Sequence, residues 1–329
     1  MTRIGLLSLA HLHAESYLPI LQAMPEVQVI GVTDEDPERG PRIAGQHGVT
    51  LYPSPKALLA EQLDAVIITS ENVRRRPLVE LAAQAGCQIL CEKQIATTLE
   101  DAEAMRAACQ TAGVSFMTAF PMRFDATISA VRHDMQTGRY GRVYAVNGIN
   151  HSENPSGHRA WFADPTLAGG GAVMDHSPHL VDLLRWFLQA EVETVQAEIT
   201  DPLQAGIDTA GLINLRFTDG AIATLDSSWS RPTTYPRWGH LKFNLITERG
   251  LVVVDAFAEH LDAYVQHAAR TTEWIGYAPD ANQAMLKEFI RATQEGRQPS
   301  VTWQDGYEAL RVALAAYQSA REERAVRVA

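Results

Sequence analysis

The chain has 329 residues, 46% of them hydrophobic and 20% charged, with a formal net charge of −11. These are globular proportions, and the length corresponds to about two domains. An acidic chain without a basic run repels a phosphate backbone, which excludes nucleic acid as a partner, and no apolar run approaches the ~18 residues of a membrane span.

The opening Met1-Thr2-Arg3-Ile4-Gly5 leads straight into a strand and carries no signal-peptide pattern, so a cytoplasmic protein is expected. Apolar runs at 4–9, 27–33, 65–69, 88–91 and 114–119 alternate with amphipathic stretches, such as Leu78, Leu81, Ala82 and Ala85 on one helical face. Gly86 and Gly113 stand where helices stop. Strand, helix, strand in repetition predicts a parallel sheet covered on both faces. In the first turn of such a sheet a dinucleotide's pyrophosphate meets backbone amides and a helix N-terminus. The glycines of G-x-G-x-x-G would fall on Ser8, Ala10 and His13, and none is glycine; serine and alanine still permit close approach. His11 and His13 are candidates to donate to the pyrophosphate, or are ordinary polar residues of a helix start.

Asp34 ends the second run, where an acid accepts from the adenosine ribose hydroxyls; the alternative is a helix cap before Pro37. No arginine is expected nearby to take a 2'-phosphate, which favours NAD over NADP. Cys87, Cys91 and Cys109 are expected to be reduced core thiols, since nothing supplies a zinc ligand set.

After about residue 140 the grammar changes. Valine-, isoleucine- and threonine-rich runs at 143–150 and throughout 192–254 are separated by short turns, with Asp219-Gly220 a hairpin signal and Arg249-Gly250 a second break. This predicts a mostly antiparallel sheet, interrupted by a helix near 175–188 and followed by helices near 281–294 and 304–324. His151 and His158 fall in a polar loop, either roofing a substrate or simply on the surface.

Between the halves lies Gly169-Gly170-Gly171, whose glycines are expected to leave room for a ligand, followed by Asp175, His176, His179 and Asp182. Asp175, His179 and Asp182 share one helix face, and a carboxylate beside an imidazole is what a general base needs. A satisfied core histidine, or a metal held by His176 and His179, are the alternatives; the reading adopted has no metal.

The glycine triplet with its aspartate and histidine resembles the signature of the Gfo/Idh/MocA family, the glucose-fructose oxidoreductase and inositol dehydrogenase relatives. Cys91-Glu92-Lys93-Gln94 stands where that family has Glu-Lys-Pro, and Trp161, Asp164-Pro165, Asp305-Gly306 and Ala309-Leu310 also match. The resemblance implies that Lys93 holds the substrate hydroxyl, His179 takes its proton, and Asp175 orients His179 or contacts the substrate. It implies cofactor contacts from Ser8, Ala10, His11, His13, Asp34, Thr69, Ser70 and Glu92. Thr69 and Ser70 would end a fourth strand, Glu92 and Lys93 would follow a fifth, and Arg74 would replace a common histidine. Arg123, His151, Trp161 and His176 form the expected substrate group.

The expected fold is α/β: a Rossmann parallel sheet over residues 1–122, then over 123–329 an α/β domain with a large, mostly antiparallel sheet, the late helices being candidates to pack back on the first. The expected function is NAD(P)-dependent oxidation of a secondary alcohol of a sugar, inositol or related polyol, or the reverse. A non-catalytic sensor of a dinucleotide or sugar is the alternative. A sheet face left open predicts a homodimer or homotetramer.

Overall fold

The computed structural model describes residues 1–264, 272–277 and 279–328, which divide into two compact units. The first comprises Met1–Phe120, Thr166–Gly169 and Asn282–Tyr307; the second comprises Pro121–Pro165, Gly170–Ala281 and Glu308–Ala329.

In the first unit the chain runs β1 (Thr2–Leu7), α1 (His13–Gln22), β2 (Val27–Thr33), α2 (Arg39–His47), α3 (Pro55–Leu59), β3 (Ala65–Ile68), α4 (Arg75–Gln84), β4 (Gln88–Glu92), α5 (Leu99–Ala112) and β5 (Phe116–Ala119). The sheet order is β2-β1-β3-β4-β5, and every pair is parallel. Strands buried on both faces need apolar residues at every position, and Ala65, Val66, Ile67 and Ile68 are all fully buried. Helix ends follow local chemistry: Ser54 and Thr98 cap α3 and α5 by accepting amides three residues on, and Gly113 ends α5 in the left-handed conformation.

One expectation is corrected here. Thr69 follows the third strand, and Glu92 ends the fourth. Between α2 and α3 the chain adds only an isolated parallel bridge, Val32 to Leu51.

The second unit contains α6 (Ala126–Gln136), β6 (Val143–Ser152), the start of the short α7 (Pro165–Ala168), α8 (Ala172–Leu188), β7 (Val192–Thr200), β8 (Ala210–Phe217), β9 (Ile222–Ser228), β10 (Gly239–Thr247) and β11 (Gly250–Asp255). A two-stranded ribbon, β12 (His260–Ala263) with β13 (Glu273–Gly276), precedes the late helices α9 (Ala281–Glu295) and α10 (Trp303–Glu322) and the terminal β14 (Val326–Arg327). The large sheet has order β11-β10-β6-β9-β8-β7-β14 and is antiparallel except for β6 with β9. The Asp219-Gly220 hairpin forms as expected between β8 and β9. α8 covers the inner face over β6, β8 and β9, burying Val146, Ile213, Leu215 and Leu225. The outer face leaves Tyr144, Leu212, Ile222, Ile246, Leu251 and Val253 exposed.

The late helices divide: α9 and the first turn of α10 cluster with the first unit, and the rest of α10 with the second. Within the first unit Trp303 Nε1 donates to the Ala102 carbonyl at 2.9 Å. Among the described residues no helix is long and apolar enough to cross a membrane.

Candidate active site

The first unit gathers its chemistry at the C-terminal ends of its strands, where a parallel sheet opens a crevice. Ser8 takes a left-handed backbone, φ 70°, which glycine would adopt without cost, so the turn keeps a fingerprint's shape without its glycines. Thr69 binds the turn on both sides, its hydroxyl donating to the Ser8 carbonyl at 2.6 Å and its own carbonyl accepting the His11 amide at 2.7 Å. Ala10 is fully buried. A cleft of about 310 Å³ beside the turn is lined by Ser8, Thr33, Asp34, Glu35, Ser70, Glu71 and Arg74 among others. The N-cap of α1 is Leu12, which has no side-chain acceptor; the first amide of the helix, that of His13, is accepted by His11 Nδ1. A left-handed first turn, a helix N-terminus and an adjoining cleft fit a dinucleotide.

Asp34 reverses one expectation. Arg39, five residues on, grips its carboxylate through Nε at 2.9 Å and Nη2 at 2.7 Å, while the amides of Leu9 and Asp36 fill the remaining positions at 2.7 and 2.8 Å. An arginine is therefore present beside Asp34 after all. Its signal was the spacing of Asp34 and Arg39 across one helix start. The helix cap belongs instead to Asp36, whose Oδ1 accepts the amides of Glu38 and Arg39.

His11 and His13 do not stand apart as free donors. Glu92, with no exposed surface, receives the Tyr17 hydroxyl at 2.6 Å and His13 Nδ1 at 3.0 Å on the same oxygen. Its other oxygen lies 4.0 Å from His11 Nε2. Burial would raise the Glu92 carboxyl, but the neighbouring histidines and these hydrogen bonds hold it well below the usual carboxylate range. Burial holds the His11 imidazole well below its ordinary range. The three side chains bring potential metal-ligand atoms within 4.8 Å of one another. However, His11 Nδ1 accepts the His13 amide at 3.2 Å, so neutral His11 carries its proton on Nε2. Glu92 Oε1 serves two donors. In this arrangement the two histidines and Tyr17 surround a buried, hydrogen-bonded carboxylate. Lys93 follows directly, 5% exposed, and the Lys93–Gln94 peptide bond is cis.

In the second unit α8 carries the expected acid and histidines. Asp175 Oδ2 accepts Trp229 Nε1 at 3.2 Å and lies 3.8 Å from His176 Nε2. His176 is buried, with Nε2 2.9 Å from the Ser152 hydroxyl. Because that hydroxyl donates to the Glu153 carbonyl, His176 is the donor between them. His179 is partly buried on the same helix. Asp182 is committed elsewhere: Arg123 forks onto it through Nε at 2.8 Å and Nη2 at 2.5 Å, both residues buried. Trp161 is buried and stacked on Phe162 at 4.0 Å. His151 lies in β6 rather than in a loop, because pairing with β9 and β10 carries that strand through Ser152. Its Nε2 is 3.0 Å from Asp226 Oδ1 but lacks a hydrogen bond's alignment.

The glycine triplet does not leave open room. A β-carbon on Gly169 would stand 2.7 Å from Thr97, one on Gly170 2.3 Å from the Tyr317 hydroxyl, and one on Gly171 1.9 Å from the Asp208 carbonyl. The chain itself fills the space. Asp208 is the residue that sequence reasoning missed: its carboxylate accepts the amides of Gly171 at 2.8 Å and Val173 at 2.9 Å and the Tyr317 hydroxyl at 2.8 Å, fixing the start of α8.

Residues 4–120 match the family described as an oxidoreductase family with an NAD-binding Rossmann fold, and residues 128–253 match the GFO/IDH/MocA C-terminal domain. The chain is 30% identical to D-xylose 1-dehydrogenase (NADP(+)) 2 of Haloferax volcanii, covering 98% of each. It is 25% identical to myo-inositol 2-dehydrogenase of Thermotoga maritima, over 99% of this chain and 97% of the relative. Among solved structures it resembles GenD2 from gentamicin A biosynthesis in complex with NAD, with a TM-score of 0.90 at 23% identity, covering 99% of this chain and 96% of that one.

Proposed function

Because the chain belongs to the GFO/IDH/MocA oxidoreductase family, we propose that it interconverts a secondary alcohol and a ketone on a sugar, inositol or related polyol. The supporting observation is that Lys93, Asp175 and His179 are all present in a chain matched over 98% of its length by a D-xylose dehydrogenase. NAD or NADP supplies the hydride acceptor when bound. Ser8, Ala10, His11, His13, Thr69 and Ser70 shape the cofactor turn and its neighbouring loop, and Asp34 and Glu92 anchor it. Lys93 donates a hydrogen bond to the substrate oxygen and stabilises the negative charge that develops there. His179 accepts the hydroxyl proton as the carbon–hydrogen bond breaks, leaving a carbonyl. Asp175 and His176 set the surroundings of His179, and Arg123, His151 and Trp161 support the substrate region. No observation favours a non-catalytic sensor.

The test is turnover across a sugar and polyol panel, followed by NADH or NADPH absorbance, with Lys93→Met and His179→Asn run beside the unaltered chain. Cofactor binding without turnover of any substrate would refute the reaction. Full turnover in either variant would refute the role of that residue.

The exposed apolar side chains on the outer sheet face support a homodimer or homotetramer that covers them. A monomer in sedimentation would refute this. A cytoplasmic location accords with three buried free thiols, Cys87, Cys91 and Cys109.

A further inference from the structure

Arg75 opens α4 with none of its surface exposed. It forms no ion pair among the described residues. Its guanidinium donates to two backbone carbonyls: to Ser70 through Nε at 3.2 Å and Nη2 at 2.9 Å, and to Gln94 through Nη1. Burying a cation is costly, and the buried carboxylates of Glu92 and Glu71 favour its charge without taking a hydrogen bond from it; an apolar side chain of similar volume would fill the space without the desolvation. What the guanidinium does that an apolar group cannot do is join two loops. One follows β3 and carries Thr69 and Ser70 at the cofactor turn. The other follows β4 and carries Lys93, the residue directly before Gln94.

Gln94 cannot hold that second loop by its own side chain. Its carboxamide is buried, and neither Nε2 nor Oε1 has a hydrogen-bond partner among the described residues. The tie at its carbonyl comes from Arg75, one residue from the Lys93 backbone. A planar, always-charged fork suits this role, since it reaches two acceptors at once and does not titrate.

We propose that Arg75 is a positioning residue for Lys93: its buried guanidinium staples the Lys93 loop to the Ser70 loop and so fixes where the ammonium is presented. This rests on the catalytic role proposed above for Lys93. Arg75 touches neither substrate nor cofactor in this scheme; it acts through the two carbonyls.

The experiment compares Arg75→Ala, Arg75→Lys and Lys93→Met with the unaltered chain, using the best substrate of the panel. kcat, KM, NADH affinity by fluorescence and melting temperature are each measured, with and without millimolar guanidinium. Arg75→Ala is expected to lose on the order of 100-fold in kcat, the scale of a ~1 Å misplacement, with KM and NADH affinity held within about threefold. Guanidinium is expected to restore about tenfold of the loss by refilling the cavity, and neutral urea none of it. Arg75→Ala that is folded and within about threefold of full kcat overturns the staple, as does a kcat loss that guanidinium leaves unchanged. If Arg75→Ala does not fold, Arg75→Lys decides: the charge without the fork is expected to lower kcat about tenfold, and an unchanged kcat overturns the proposal. Full turnover in Lys93→Met would instead refute the role of Lys93, whatever Arg75 does.

Discussion

The Asp208 carboxylate accepts the Gly171 amide at 2.8 Å, while the Asp208 carbonyl lies 1.9 Å from where a Gly171 β-carbon would stand. The two contacts act together: the first tethers the start of α8, and the second forbids any side chain at the tether point. The helix that carries Asp175 and His179 therefore begins where Asp208 holds it.

Gly171→Ala should destabilise the protein by about 1–3 kcal/mol, because the contact is backbone and cannot swing away. At this chain length that corresponds to several degrees in Tm by calorimetry. Asp208→Ala should cost about 1–2 kcal/mol through the lost cap, and it also strips a partner from the Tyr317 hydroxyl. Turnover should fall in both. An unchanged Tm in Gly171→Ala would mean that the loop holding Asp208 can retreat.

The Arg123 and Asp182 pair makes a separate prediction. Both are buried, so removing one charge takes away the fork that compensates the other. Arg123→Met should cost about 3–5 kcal/mol, and the double variant Arg123→Met with Asp182→Leu should recover most of it, since a buried pair exchanged for apolar side chains is often neutral. Denaturant unfolding of the two single variants and the double variant measures the cycle. A double variant as unstable as the sum of the singles would show that the two charges are not coupled.

The thiols predict a chemical silence. Burial pushes Cys91 up to about 12 and Cys87 and Cys109 up to about 11. At neutral pH the folded chain should react with no equivalent of a thiol-disulfide reagent at these positions within minutes, and with three after unfolding. Rapid labelling of the native protein, read by mass, would contradict the burial.

The Rossmann sheet was readable because its information is local: period, stop signals and strand-by-strand apolarity need no partner. The candidate acids and histidines of α8 were readable for the same reason, being set by helical spacing. What escaped depends on contacts distant in sequence. Asp208 looks like a loop polar residue until its carboxylate is found on Gly171, 37 residues away. Arg75 stands between Arg74 and Arg76, and of the three only Arg75 turns inward. Arg39 was visible in sequence, five residues from Asp34, but its reach back across the turn shows only in three dimensions. The strand containing His151 ran two residues past the expected end because its neighbours β9 and β10 extend the pairing.

His11 gives the protein a pH dependence whose sign can be worked out. Its neutral form is favoured in the fold by burial, and His13, Lys93 and Arg75 add to the effect while Glu92 opposes it. A histidine with a depressed folded pKa binds fewer protons than in the unfolded chain, so stability is complete above the unfolded value of about 6.5 and falls as pH drops below it. Glu92, held low in the fold, acts in the same direction, but only below its unfolded range near pH 4–5. Between pH 6.5 and 5 His11 should therefore contribute up to about 1.4 kcal/mol per pH unit, alongside a same-signed contribution from His240, which burial also holds low. His11→Asn keeps an acceptor near the His13 amide and removes the titration. Its stability should be flatter across that window than the unaltered chain's, measured as Tm against pH in buffers of matched ionic strength. Parallel curves for the two proteins would mean that His11 is protonated in the fold, paired with Glu92, and that its burial does not set its charge.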